Sequence, residues 1–372
     1  MFHRSRYLQT TKAGRAEQWQ RARMLVQIFA LLTLYTTASF VMPRWAEWRV
    51  ATGIVPLWPI QWMAWLPTPT AVDVICLYAL GATAGAFFFV EHRGWRLNAA
   101  LAVLFLHALI NSFGKINHSW HPWVLVTCAF VFLPTGPWRT YPPEDERRDH
   151  FYAVIWGAQL LVMVIYTLSG LWKIYGIIAQ WQEGTMTALH PNAFAYQVAN
   201  RTLQTNTVGP LSRLVIQVPW LGWLPYLAVI YLETFAVVTV WRPRLQRLWA
   251  AGLIGFHIGS WLTMTITFNA QILVLGLLFW FSPFVPQENS LRQVLRELPI
   301  VKELLRLARD WGRLRGTTRS SRESRVTIQN TEGTEGTEGT ENTENTEGTE
   351  EFMPSGADRR ATDIYRHSDN VS

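Results

Sequence analysis

The stretch Phe151–Ile178, FYAVIWGAQLLVMVIYTLSGLWKIYGII, decides the fold. It holds one formal charge, Lys173, in a run longer than the about 20 apolar residues a helix needs to cross the hydrocarbon core. Such a segment reads as a transmembrane helix. The lysine within it is a costly group that either faces a protein interior or aqueous cavity, or snorkels to the headgroups. A lysine in a dry site is also a candidate base.

Outward from this stretch, apolar runs recur. The chain has 372 residues, 49% hydrophobic and 16% charged, with 20 Trp, and its apolar residues are gathered into blocks ahead of a polar C-terminus. This composition excludes an ordinary soluble domain, makes the lipid bilayer the first partner and gives no reason to expect a nucleic-acid partner. Spans are expected at 24–42, 71–90, 97–113, 119–134, 151–176, 220–241, 248–267 and 270–286. The fold class is therefore an all-α polytopic membrane helix bundle with about eight transmembrane helices, the third and fourth short. Val55–Leu66, VPLWPIQWMAWL, is too short to cross and reads as an interfacial piece anchored by its tryptophans.

Loop charges set the expected orientation, because cytoplasmic loops carry the excess of Lys and Arg. Arg4, Arg6, Lys12, Arg15, Arg21 and Arg23 precede the first span. With an even span count, Arg93 and Arg96, then Arg139, Arg147 and Arg148, then Arg242, Arg244 and Arg247 fall on that same side. The opposite side carries Arg44 with Arg49, Lys115, and Arg201 with Arg213 across a long loop. The expected location is a bacterial inner membrane with both termini cytoplasmic, which puts Lys173 near the outer end of the fifth span. The basic N-terminus, 1–23, leads into a retained helix rather than a cleaved signal peptide. After the membrane domain, 24–287, residues 288–316 show a basic, leucine-spaced helical pattern interrupted at Pro299, expected either on the anionic inner leaflet or packed on the bundle. Residues 317–372, with a repeated Thr-Glu-Gly or Thr-Glu-Asn triplet, are expected to be a disordered tail.

Against this apolar background the chemistry-bearing residues are few. Asn117 and His118 stand in an expected outer loop, where an imidazole can move a proton or stabilise an oxyanion. His118 and His121 have spacing that a metal pair would permit, but no third ligand is nearby and no metal is expected. His257, within a span, should face the bundle, and Gly255 and Gly259 around it form a GxxxG pattern that marks close helix packing. Glu233 is another intramembrane ionisable group, for which Arg242 or a histidine is an expected structural partner. Cys76 and Cys128 lack CxxC spacing and read as small buried hydrophobes.

Taken in order, these elements resemble the membrane domain of vitamin K-dependent gamma-carboxylase and its bacterial relatives, the horizontally transferred transmembrane (HTTM) family. The resemblance rests on Asn117, His118 and Ser119, on Tyr166, Ser169, Gly170, Lys173, Trp181 and Gly184, on Glu233 ahead of Arg242, and on Phe256 and His257 ahead of Phe279 and Pro283. It covers about residues 20–287. What it implies is a quinol-dependent, carboxylase-like or epoxidase-like enzyme whose cofactor is a reduced quinone of the vitamin K or menaquinone type. Lys173 would be the base that deprotonates the quinol and His118 its assistant, with Asn117, Tyr166, His257 and Glu233 as supporting positions. In the family, oxygen converts the quinol into a strong base that removes a proton from a glutamate of a protein substrate, and the carbanion takes up carbon dioxide. The family's large domain after the last span has no counterpart here, so the reaction and any protein substrate stay open. Two other classes remain: a non-enzymatic membrane protein that binds a lipid or partner through Lys173 and His118, and a transporter, for which no repeat between halves is visible.

Overall fold

The computed structural model describes residues 12–51, 55–113, 118–138, 145–185, 187–286 and 290–300, all within one compact unit, Met1–Ala308. Asn117, the basic residues before Lys12 and the expected tail lie outside the described residues. The chain runs through α1 (Lys12–Val50), α2 (Thr70–Phe88), α3 (Arg93–Asn111), α4 (His121–Phe130), α5 (Asp145–Gln182), α6 (Ala193–Thr205), α7 (Ser212–Gln217), α8 (Pro219–Thr234), α9 (Val238–Trp241), α10 (Gln246–Met264), α11 (Asn269–Leu275) and α12 (Leu291–Glu297). Among the described residues there is no strand, only an isolated bridge between Val55 and Phe113.

Four helices, α1, α2, α3 and α5, are long and apolar enough to cross a membrane. At 1.5 Å per residue α1 and α5 are about 59 and 57 Å long, nearly twice the roughly 30 Å hydrocarbon core, so a helix of either length would tilt in it or project from it. Their polar first turns, KAGR and DERR, suit that projection. Leu31, Leu77, Leu101 and Leu168 are exposed along them, as a lipid-facing surface requires.

The other expected spans differ from expectation. The fourth is reduced to the 10 residues of α4. The sixth, expected at 220–241, is broken between α8 and α9. At the break the amide of Val237 bonds to Thr167 Oγ1 at 3.0 Å instead of to the preceding helical turn. A run of β-branched residues, Val237 to Val240, adds little helical propensity to resist it. The seventh ends at Met264 because Thr265 is left-handed, with φ 56°. Leu211, just before α7, and Ser212, its first residue, satisfy carbonyls at that end, through Leu211 N to Leu262 O and Ser212 Oγ to Thr263 O at 2.9 and 2.6 Å. The eighth becomes α11 followed by a π-helical turn, Gly276–Trp280.

Two apolar clusters hold the bundle. One joins α1, α4, α5, α8, α10 and α11 around Trp123, Phe151, Trp249 and Phe279. The other packs α1, α2 and α3 around Met63, Leu106 and Leu109. Val55–Leu66 behaves as an edge piece: Trp58 and Trp65 are exposed, Met63 is buried, and one 3₁₀ turn spans Gln61–Trp65.

Arg96, counted above as a loop charge, is instead 4% exposed. Its guanidinium donates to Val90 O at 2.7 Å and to Leu133 O, and lies 5.4 Å from the Trp138 ring. A cation that satisfies carbonyls just beyond the C-terminal ends of two helices also complements their dipoles. Arg96 therefore ties α2 and the end of α4 to α3 rather than marking a cytoplasmic loop. The described part of the segment after the spans packs on the bundle. α12, opened by a capping box between Ser290 and Gln293, lays Val294 and Leu298 on the core. Glu297 receives Arg244 at 2.8 Å and, through its backbone oxygen, Arg242, while Tyr231 donates to Pro299 O at 2.8 Å.

Candidate functional site

The site begins with a glycine. Gly170 brings the backbones of α5 and α8 together: a Cβ there would stand 2.4 Å from Thr234 N and 2.8 Å from the Glu233 carbonyl carbon. Only a residue without a side chain permits that approach. By contrast, Cβ positions at Gly255 and Gly259 meet nothing within 4 Å. The GxxxG pattern on α10 thus does not mark a close contact at these two glycines, whereas Gly170 does mark a tight backbone approach.

One turn beyond Gly170, the Lys173 ammonium forms an ion pair and hydrogen bond with Glu233. It also donates to Ser169 Oγ at 3.2 Å and sits 5.9 Å from the centre of the Phe256 ring, within cation–π range. The Lys173 side chain is 27% exposed and that of Glu233 only 3%. The expected partners of Glu233 are corrected: it pairs with Lys173, and Arg242 is engaged by Glu297 instead. Lys173 is not a free snorkelling cation, for its head is turned onto α8. It lies about 14 Å along the axis from the end of α5.

Behind this pair lies a second one. Tyr166 OH and His257 Nε2 are 2.7 Å apart, joining α5 to α10, and both residues are buried. The imidazole is walled by Phe256 and Phe268, with ring centres 5.0 and 4.6 Å away. His257 therefore faces the bundle interior as expected. Three helices thus converge Lys173, Ser169, Tyr166, Glu233 and His257 on one side of α5. This arrangement can hold an ion pair in a low-dielectric site and move a proton between amine and carboxylate.

His118 belongs to a different group. Its ring centre is 5.3 Å from that of His121, which is 5.0 Å from that of His107. Asn111 Nδ2 donates to His107 Nε2 at 2.9 Å. Among the described residues no hydrogen bond or ion pair joins His118 to Lys173. No group of three or more His, Cys, Asp or Glu residues among them is placed to hold a metal ion. Cys76 and Cys128 are free thiols.

Sequence reasoning passed over His107 and Thr167. His107 had a usable signal, an imidazole inside an apolar span. Thr167 had none, because its role depends on where the facing helix breaks. Among the described residues, cavities around Thr33 and Thr83, around His92 and Asn98, and around Gln180 and Tyr196 are not lined by Lys173 or Glu233. Comparison of the chain with family models, curated proteins and solved structures returns no match.

Proposed function

We propose that this chain is a multi-pass membrane protein of about eight crossings with both termini cytoplasmic. In this reading the Lys173–Glu233 pair exchanges a proton with a lipid-soluble, quinol-type substrate, as the HTTM resemblance implies. The shorter segments α4, α8 with α9, α10, and α11 with its π turn supply the remaining crossings, sheltered by the four long helices. The observation that carries the reading is the ion pair itself: a partly exposed amine held against a buried carboxylate on a facing helix. Ammonium with carboxylate, and amine with carboxylic acid, are both net neutral, so the pair can pass its proton between partners without creating an uncompensated charge. Lys173 is the member open to a substrate, and Glu233 the member that stores the proton.

A reduced quinone fits this donor set in chemistry, since it supplies a weakly acidic hydroxyl to the amine. Phe256 offers an aromatic wall, and a quinol ring approaches from the exposed side of Lys173, the member of the pair that meets its hydroxyl. Tyr166 and His257 support the pair from beneath. His118 keeps its proposed assisting role only if the substrate spans from Lys173 to the histidine group. Quinol oxidation by purified protein in air-saturated buffer, with dioxygen as the electron acceptor, comparing the parent with Lys173→Ala and Glu233→Gln, tests this: turnover in the parent and its loss in both variants is expected. Absent turnover in the parent, or equal turnover in all three, refutes it.

A second reading, a non-enzymatic lipid-binding or partner-binding protein, is favoured by one observation. Lys173 is engaged by Glu233 and Ser169 beside a close approach of two backbones, which is also what a helix-to-helix lock requires. The double variant Lys173→Met, Glu233→Leu separates the two. A lock is restored by an apolar pair, whereas proton exchange is abolished.

A further inference from the structure

The inner face of α5 carries polar residues at a seven-residue interval: Tyr152, Gln159, Tyr166 and Lys173. Seven residues are close to two helical turns, so these side chains share one face. From Tyr152 to Lys173 the helix rises about 31 Å, which matches the roughly 30 Å thickness of a hydrocarbon core. Tyr152, Gln159 and Tyr166 are buried, so the row runs through the protein rather than along lipid.

Other elements meet each rung. Gln159 Nε2 donates to Leu278 O at 2.6 Å and to Ser282 Oγ at 3.0 Å, and the first acceptor lies in the π-helical turn, where the regular carbonyl ladder is altered. Gln246 Nε2, from the start of α10, donates to Gln159 Oε1 at 3.3 Å. Higher on the same helix His257 meets Tyr166 at 2.7 Å. At the top stands Lys173 with Glu233.

Two polar atoms in this row are unspent. Gln246 Oε1 and His257 Nδ1 are buried and have no hydrogen-bond partner among the described residues. Buried polar groups seldom remain so, and a bound water is the usual partner. Both atoms belong to residues that already bond a rung of α5, so unspent hydrogen-bonding capacity occurs at both inner rungs. Polar groups kept inside a membrane bundle in a row from one side to the other are the ordinary makings of a proton relay.

We propose that this seam is a proton path across the membrane core, linking the Lys173–Glu233 pair to the side where Tyr152 lies. Successive rungs are about 10 Å apart, farther than one hydrogen bond, and water molecules held by Gln246 Oε1 and His257 Nδ1 bridge them. The carriers are the bridging waters, Tyr166 and His257, each accepting one proton on one side and giving up one on the other, while the Gln159 and Gln246 amides neither gain nor lose a proton and only hold and orient the waters by hydrogen bonds; no electrons move and no covalent framework changes. The proposal rests on the reading of Lys173 and Glu233 as a proton-exchanging pair and adds the route by which that proton leaves.

Full-length protein in liposomes with a trapped pH dye, given a pH step with valinomycin and potassium to cancel the membrane potential, tests the route without any substrate. Proton entry several-fold faster than in protein-free liposomes is expected. Gln159→Leu should return it to the protein-free rate while the protein still elutes as a folded species, with some loss of stability from the buried hydrogen bonds removed. If Gln159→Leu does not reconstitute, Gln246→Leu serves, and the same loss is expected. Parent flux equal to protein-free liposomes overturns the path, as does a parent-like flux in the variant that reconstitutes. Quinol oxidation in detergent, where both ends of the seam meet bulk water, should persist in Gln159→Leu. Its absence in the parent alongside intact proton flux would refute the quinol reading and leave the seam standing.

Discussion

Substituting Gly170 by Ala probes the join on which the site depends. The added Cβ would lie 2.4 Å from Thr234 N and 2.8 Å from the Glu233 carbonyl carbon. Both are backbone atoms, so no side chain can swing aside. Restoring van der Waals contact near 3.5 Å requires α8 to retreat from α5 by about 1 Å, and overpacking of this kind costs roughly 1–3 kcal/mol. At about 2.1 cal/mol/K per residue over the roughly 270 described residues, each kcal/mol moves the melting temperature by about 1.5–2 °C. A fall of roughly 2–6 °C is therefore expected when tryptophan fluorescence is followed on heating in detergent. Gly176→Ala is the matched control, because it lies on the same helix and its Cβ meets nothing within 4 Å. There alanine should leave stability unchanged or raise it by up to about 1 kcal/mol, the helical preference of alanine over glycine. Equal shifts for the two variants would refute the close approach, and with it the account of how Lys173 reaches Glu233.

Removing only Lys173, as Lys173→Met, strands a carboxylate that is 3% exposed, and a loss of about 3–5 kcal/mol is expected. Lys173→Met with Glu233→Leu should recover most of it in the same thermal assay, and a double variant as unstable as the single one would show that the pair is not the cause. Arg96→Met deprives Val90 O and Leu133 O of their donor, at about 1.5–3 kcal/mol per charged hydrogen bond. A denaturation midpoint equal to the parent's would remove Arg96 from the structural role given to it. Glu297→Ala should cost less than about 1 kcal/mol, since its pair with Arg244 is partly open to solvent. A larger loss would mean that α12 is held by this pair more than by Val294 and Leu298.

Much of the architecture was legible in the order of residues. Block hydrophobicity and helical length are local properties, so the four long helices follow directly from the apolar runs around Leu31, Val74, Leu101 and Val162. The internal breaks and ends of the shorter segments were not legible, because average hydropathy does not record where a chain turns. Thr265 adopts a left-handed backbone, and the break after Thr234 is filled by a hydroxyl from α5. Loop-charge counting was weakened at Arg96, since a basic residue near a span end reads alike whether it meets solvent or buried carbonyls.

By itself the sequence determined that this is a helical protein with membrane-length apolar segments, and that Lys173, Glu233, Tyr166 and His257 stand out as polar groups in costly places. The reason is physical: a charge or imidazole in an apolar run is conspicuous without knowledge of its neighbours. Tertiary structure alone decided which of these groups meet. Lys173 found Glu233 60 positions away and Tyr166 found His257 91 positions away, while His118 was placed with His121 and His107 instead. Such pairings depend on how three helices cross and on one glycine that lets two backbones touch, and neither is encoded in the periodicity of any single segment.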